Sequence, residues 1–259
     1  TMDTTTPQPT PPDAHGPSAL LHGRPRSVRR DPGSLATLAY GYRVYLLLAL
    51  ICAVMSVLAP EFRTSGNVGN ILKATALNLP AAAGFTLVLV CGQLDLSIGS
   101  VMTLGGMLAV GLQPHLGWAA SFVVGVLCGA LVGLLNGLLV ARAKINSFIV
   151  TLGSMIVVQN AVIIYCRGGT IPARSFALAD WFQAPVFWVV TPQVLIPFLL
   201  MGVLAVFMSW TPVGRGYYLL GGNPQTAWFS GLRVDRYVIG GFVLSGMLSA
   251  LGGALVSMG

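Results

Sequence analysis

The sequence predicts an all-α, polytopic membrane protein: a transmembrane helix bundle of about seven spans. Three observations carry this. Hydrophobic residues make up 55% of the 259 and charged residues only 8%, and the mean hydropathy of +0.79 exceeds what the core of a soluble domain this size needs. The apolar residues fall in long runs, several of them near the ~20 residues that cross a hydrocarbon core. The basic residues sit in the N-terminal stretch and in loops beside those runs. The formal charge of +7 therefore reads as membrane orientation, not as a nucleic-acid surface.

Residues 1–34 are rich in Pro, Thr and Gly and carry Arg24, Arg26, Arg29 and Arg30. They hold too little apolar surface to offset ordering, so a disordered cytoplasmic tail is expected, followed by a membrane domain over 35–259. Pro25, Pro32 and Gly33 interrupt any amphipathic targeting helix there. The first span is expected over 44–59, behind the interfacial Tyr40, Tyr42 and Tyr45, and ends at Pro60 and Glu61. Residues 74–94 form the second, interrupted near its beginning by Asn78 and Pro80, and 96–112 form the third. The fourth, 116–140, carries Gly125, Gly129, Gly133 and Gly137 at four-residue spacing, which places them on one helix face that another backbone can approach closely. Further spans are expected over 145–166, over 187–210 with breaks at Pro192 and Pro197, and over 237–259. The last repeats the small-residue pattern at Gly241, Ser245, Ser249, Gly253 and Ser257. Cys52, Cys91, Cys128 and Cys166 are scattered among the apolar segments and read as small hydrophobes.

Between the last two runs lies a polar island, Thr211 to Arg236. Asn223 suits a helix cap, Pro224 the first helical position, and Gly231 a left-handed residue that ends the helix. A helix of about two turns is marginal alone in water, so Trp228 and Phe229 need something to pack against. From spacing alone two readings stand: a helix lying on its own protein or on lipid, or a docking site for a partner. Seven crossings with the N-terminus inside put Arg142, Lys144, Arg215, Arg233 and Arg236 in the cytoplasm with the tail, and leave Arg63, Lys73, Arg167 and Arg174 outside. The island is then cytoplasmic.

Asp95 is the only carboxylate between Glu61 and Asp180. It reads either as a helix cap, together with Ser97, or as a proton or cation relay; with no second acid or histidine in the spans to receive a proton, the cap is favoured. Asn78, Gln93, Asn136, Gln159 and Asn160 are the other strongly polar residues in or beside the spans, each expected to bond a neighbouring helix. With Asp95 and Ser97 they are the candidates for a translocation path. His15, His22 and His115 lack metal-ligand spacing, and no Gly-rich phosphate loop is present. An enzyme is disfavoured, no cofactor or metal is expected, and the energy for transport comes from a gradient or from another subunit.

Three stretches carry a family resemblance: GFTLVLVCGQLDLSIGSVMTLGG from Gly84 to Gly106, NGLLVARAKINSFIVTLG from Asn136 to Gly153, and the island with its Thr-x-x-Gly-Arg, Gly-Asn and Ser-Gly. In this order they resemble the permeases of ribose-type ABC importers, related more distantly to branched-chain amino-acid permeases. The resemblance implies a permease subunit of the bacterial inner membrane that pairs with a second permease chain, identical or not. It implies a periplasmic or lipid-anchored sugar-binding protein that delivers substrate, and cytoplasmic ABC ATPase subunits that hydrolyse ATP. Gly222, Asn223, Pro224, Ala227, Trp228, Phe229 and Gly231 would then form the coupling helix and its ends. Gln93 stands where the family usually has Gly, and Gln225 to Phe229 replace a more charged helix. Such permeases usually continue for further spans, so a C-terminally truncated fragment is expected. The substrate implied is ribose or a similar sugar. The alternatives are a branched-chain amino-acid or nucleoside ABC permease, and an ion-coupled secondary transporter working through Asp95.

Overall fold

A computed structural model describes residues 35–169, 171, 177–184, 186–187 and 190–257. The expected tail over 1–34 lies outside them, as do the last two residues of the final expected span. The chain divides into two compact units, Thr1–Leu58 and Ala59–Gly259.

In the first unit, α1 (Leu35–Leu58) is a helix of 24 residues. Its apolar stretch, Tyr42–Leu58, is about 26 Å long. Leu46, Leu50, Val54 and Val57 are all exposed, as on a helix made for lipid.

The second unit is an all-helical bundle. A 3₁₀ turn, Pro60–Arg63, leads into α2 (Ser65–Val90), whose first turn is capped by Thr64 Oγ1, accepting from the Asn67 N–H at 3.3 Å. α2 starts nine residues before the expected span and runs through Pro80 without a break. Next come α3 (Ile98–Gly111), α4 (Gln113–Ala141) and α5 (Ser147–Tyr165). The short α6 (Ala177–Gln183) precedes α7 (Pro192–Trp210). Pro192 is the first residue of α7 and breaks nothing, because its missing N–H would be unpaired there anyway. Pro197 lies inside α7. Then follow α8 (Pro212–Gly222), α9 (Pro224–Phe229) and α10 (Val234–Ser257). Five helices are long and apolar enough to cross a membrane: α2, α4, α5, α7 and α10. The apolar part of α1 and the 14-residue α3 are shorter.

α10 is the centre of the bundle. Two thirds of its apolar window is buried, against 22% for α5 and α7, and it packs on α2, α3 and α4. Glycines make this possible. All four of Gly125, Gly129, Gly133 and Gly137 are buried, as the spacing predicted. A Cβ at Gly133 would run into the Phe242 carbonyl of α10, one at Gly129 into the Gly246 carbonyl, and one at Gly137 would lie 2.9 Å from Ile239 Cα. On α3 and α2 the same holds: a Cβ at Gly106 would lie 2.8 Å from the Gly253 carbonyl oxygen, and one at Gly84 2.8 Å from Ser245 Cα. With no water to drive helices together in lipid, such backbone contact over a long face supplies dispersion attraction instead.

α3 corrects the expected third span. At 14 residues it is about 21 Å long, short of a hydrocarbon core of about 30 Å. The remainder is made by an irregular segment between Val90 and Ile98 that enters the bundle between helices.

Candidate functional site

Two non-spanning stretches carry most of the polar chemistry. The first is the island. Thr211 Oγ1 accepts from the Gly214 N–H at 3.0 Å and starts α8, which ends at Asn223. Asn223 has an extended backbone and caps α9, its Oδ1 accepting from the N–H groups of Gln225 at 2.9 Å and Thr226 at 3.2 Å. Pro224 occupies the first helical position. Gly231, at φ +82°, ends the helix as anticipated. The Leu232 N–H bonds the Ala227 carbonyl at 3.1 Å and the Gly231 N–H bonds the Trp228 carbonyl at 2.9 Å, the two bonds of a Schellman motif. Both ends of a six-residue helix are therefore closed by local bonds, which offsets its shortness.

α9 is anchored by one side chain. Ala227 is fully buried in an apolar cluster with Val140, Ala141, Leu220, Val238 and Phe242. This corrects its place among residues offered to a partner: it faces inward, because a larger side chain has no room there and its neighbours close over it. Trp228 and Phe229 face out, 65% and 80% exposed, with ring centroids 5.0 Å apart and edge-on. Gly222, Asn223 and Pro224 are exposed beside them. Next to Trp228 a cleft of about 890 Å³ is lined by Arg142, Lys144, Arg233, Asp235 and Arg236. Lys144 Nζ lies 3.0 Å and Arg142 Nε 3.7 Å from the Asp235 carboxylate. These exposed pairs contribute less than about 1 kcal/mol, so they orient the α4–α5 loop against the island without holding it there. Four cations against one carboxylate leave the cleft positive. Burial first, then the charges that Cys91 and Tyr237 would carry, pushes the Tyr217 phenol of α8 far above its usual range, so it stays neutral against Tyr237.

The second stretch is the irregular segment before α3, where Asp95 is 4% exposed. Its Oδ1 accepts from the Ser97 N–H at 3.0 Å and the Ser97 hydroxyl at 2.6 Å, and its Oδ2 accepts from the Ser245 hydroxyl of α10 at 2.9 Å. Ser97 Oγ in turn accepts from Asn136 Nδ2 of α4 at 3.1 Å. Asp95 does serve the N-terminus of α3, through Ser97; the Ser97 side chain makes no cap bond. The backbone of Leu94 is paired by α5: its N–H donates to Ser147 Oγ at 3.2 Å and its carbonyl accepts from Thr151 Oγ1 at 3.5 Å. Irregular backbone at membrane depth is tolerated only where protein groups satisfy it, and here side chains of three helices do so.

Asp95, Ser97 and Asn136 are thus brought together, with Gln93 half-buried in the same segment. Asn78, Gln159 and Asn160 are exposed. Asn78 Nδ2 donates to the Ala74 carbonyl and Asn160 Nδ2 to the Ile156 carbonyl, each at 2.8 Å. The expected bonds to neighbouring helices are not made by these two, because the carbonyl one turn back is nearer. Sequence reasoning missed Ser147, Thr151 and Ser245 as partners of the segment. Ser245 stood in the small-residue stripe of α10, but nothing local tied it to Asp95.

The bundle and its two closed, non-catalytic stretches define a class first: a multi-pass membrane permease. Among the described residues no group of three His, Cys, Asp or Glu could hold a metal ion. Residues 67–259 match the family described as Branched-chain amino acid transport system / permease component. The ribose import permease protein of Haemophilus influenzae is 33% identical over 83% of this chain and 68% of its own length. The D-allose transport system permease protein of Escherichia coli is 30% identical over 87% and 70%. The xylose transport system permease protein of Escherichia coli is 27% identical over 83% and 72%. The chain spans about two thirds of the length of these relatives. No solved structure matches it. The chain belongs to this permease family, in its branch of sugar-type ABC importer permeases, and is a transport subunit of the inner membrane rather than an enzyme.

Proposed function

We propose that the protein imports ribose or a similar monosaccharide, with its N-terminus and island in the cytoplasm and α9 docked on an ABC ATPase. The observation that carries this reading is α9 itself. A helix of six residues is capped at both ends, fixed by Ala227, and spends its two largest apolar side chains on solvent. Exposed Trp and Phe rings beside a basic cleft are what a partner's apolar groove and acidic rim would bury. The island and the Arg142–Lys144 loop share one face of the membrane domain, joined through Asp235. Their combined basic charge supports a cytoplasmic placement. The sugar reading is supported by relatives named as ribose, D-allose and xylose permeases. A second permease chain and a binding protein complete the importer in this reading. Asp95, engaged by two hydroxyls and a backbone N–H, has no acid or base beside it to pass a proton to, which counts against ion-coupled transport.

The test is co-purification of the intact permease with its ATPase, comparing wild type with Trp228→Asp/Phe229→Asp. Loss of the ATPase from a permease that still elutes as a folded species in detergent is the expected result. A wild type that holds no ATPase, yet takes up ribose with an ion gradient, would overturn the proposal.

A further inference from the structure

At the end of the bundle opposite the island, the first turns of α2 and α7 enclose a cleft of about 260 Å³. Ser65, Asn70, Lys73, Gln183, Thr191 and Gln193 line it. Two of their polar atoms have no partner. Gln193 is 1% exposed; its Nε2 donates to the Leu255 carbonyl of α10 at 2.9 Å, while its buried Oε1 accepts nothing. The amide orientation is settled by that bond, because a carbonyl can only accept, so the free end is the oxygen. Thr191 stands at the N-cap of α7, where a hydroxyl ordinarily bonds the first turn; here it makes no cap bond and its buried Oγ1 is unpaired. Leaving such atoms unsatisfied costs about 1–3 kcal/mol each, so an occupant that donates to them is favoured.

The chemistry of the occupant follows by elimination. It must give a hydrogen bond to Gln193 Oε1, which a fully ionised carboxylate has no proton to do. It is not a cation, because Lys73 is the one charged residue among the described lining residues and repels one. A neutral solute with several hydroxyls both donates to Gln193 and accepts from the amide and hydroxyl groups of Asn70 and Ser65. The volume, just below the ~300–1,000 Å³ of drug-sized sites, suits one small molecule. We infer that this cleft is a subsite for a single neutral polyhydroxyl solute, a free monosaccharide, at the face where the importer receives its cargo. That face is the outer one only on the orientation proposed above, since α2 begins and α10 ends there.

The experiment uses the intact permease in nanodiscs, without ATPase or binding protein, and D-ribose at millimolar concentrations as probe in saturation-transfer NMR. Wild type is expected to give a signal that unlabelled D-ribose saturates and inorganic phosphate leaves unchanged. Thr191→Val and Gln193→Leu are expected to weaken binding about three- to ten-fold, the share of one or two hydrogen bonds. Thr191→Val removes a hydroxyl that caps nothing, so it should melt with wild type and serves where Gln193→Leu misfolds. No ribose signal in wild type, equal binding by both variants, or displacement by phosphate would each overturn the subsite. Orientation is read separately, by an impermeant maleimide on Arg63→Cys in right-side-out vesicles with the four native cysteines replaced. Labelling from outside is expected; labelling only from inside overturns the outward placement and the orientation proposed above, but not the binding of the sugar.

Discussion

The segment before α3 and the island before α10 are both breaks in the helical pattern, and they solve opposite problems. The first is polar and buried. Its carboxylate, hydroxyls and backbone groups all close on one another across α3, α4, α5 and α10. The second turns apolar rings outward and closes only its backbone, through Asn223 and the bonds around Gly231. A stretch whose every polar group finds a partner in its own chain is structural. A stretch that is locally complete but leaves Trp228 and Phe229 uncovered is organised for something outside it.

The comparison breaks most sharply through the packing that lets the buried segment close. Gly133→Leu drives a side chain into the Phe242 backbone, and no folded permease should be recovered by size exclusion in detergent. Asp95→Ala strands the Ser97 and Ser245 hydroxyls and should lower stability by about 3 kcal/mol, read from denaturant midpoints in detergent. A loss under about 1 kcal/mol would mean that the network holds nothing together. Asn223→Ala removes the cap of α9 and should cost about 1 kcal/mol, confined to the island. Hydrogen exchange at Gln225 and Thr226 would show it, while the midpoint for the bundle stays in place. Smallest of all is the expected stability change of Trp228→Asp/Phe229→Asp, within about 0.5 kcal/mol of wild type. A large drop there would show that the rings are part of the fold, and the two regions would no longer differ in kind.

Much of the island was legible in advance. Asn-Pro at the start and Gly at the end have local causes, an acceptor for orphan N–H groups and a backbone at positive φ, and both appear at Asn223 and Gly231. The glycine face of α4 was legible for the same reason, since a four-residue spacing needs no knowledge of the partner helix. The length of α3 was not. An apolar run from Leu96 to Leu112 reads as one span, and only the bonds to Ser147, Thr151 and Ser245 show why its beginning is irregular. Nor was the division within α9, where adjacent Ala227 and Trp228 face opposite ways.

The sequence by itself determined that this chain is a bundle of helices in a membrane. An apolar run in lipid must satisfy its backbone internally, and a helix does so from local bonds alone. It also determined where helices start, stop and come close, because caps, prolines and glycines act within a turn. Only the tertiary structure decided that Asp95 meets Ser245, 150 residues away, and that Gln193 and Thr191 face one cleft. Those pairings depend on which helices become neighbours, a property of the packed bundle and not of any stretch read alone.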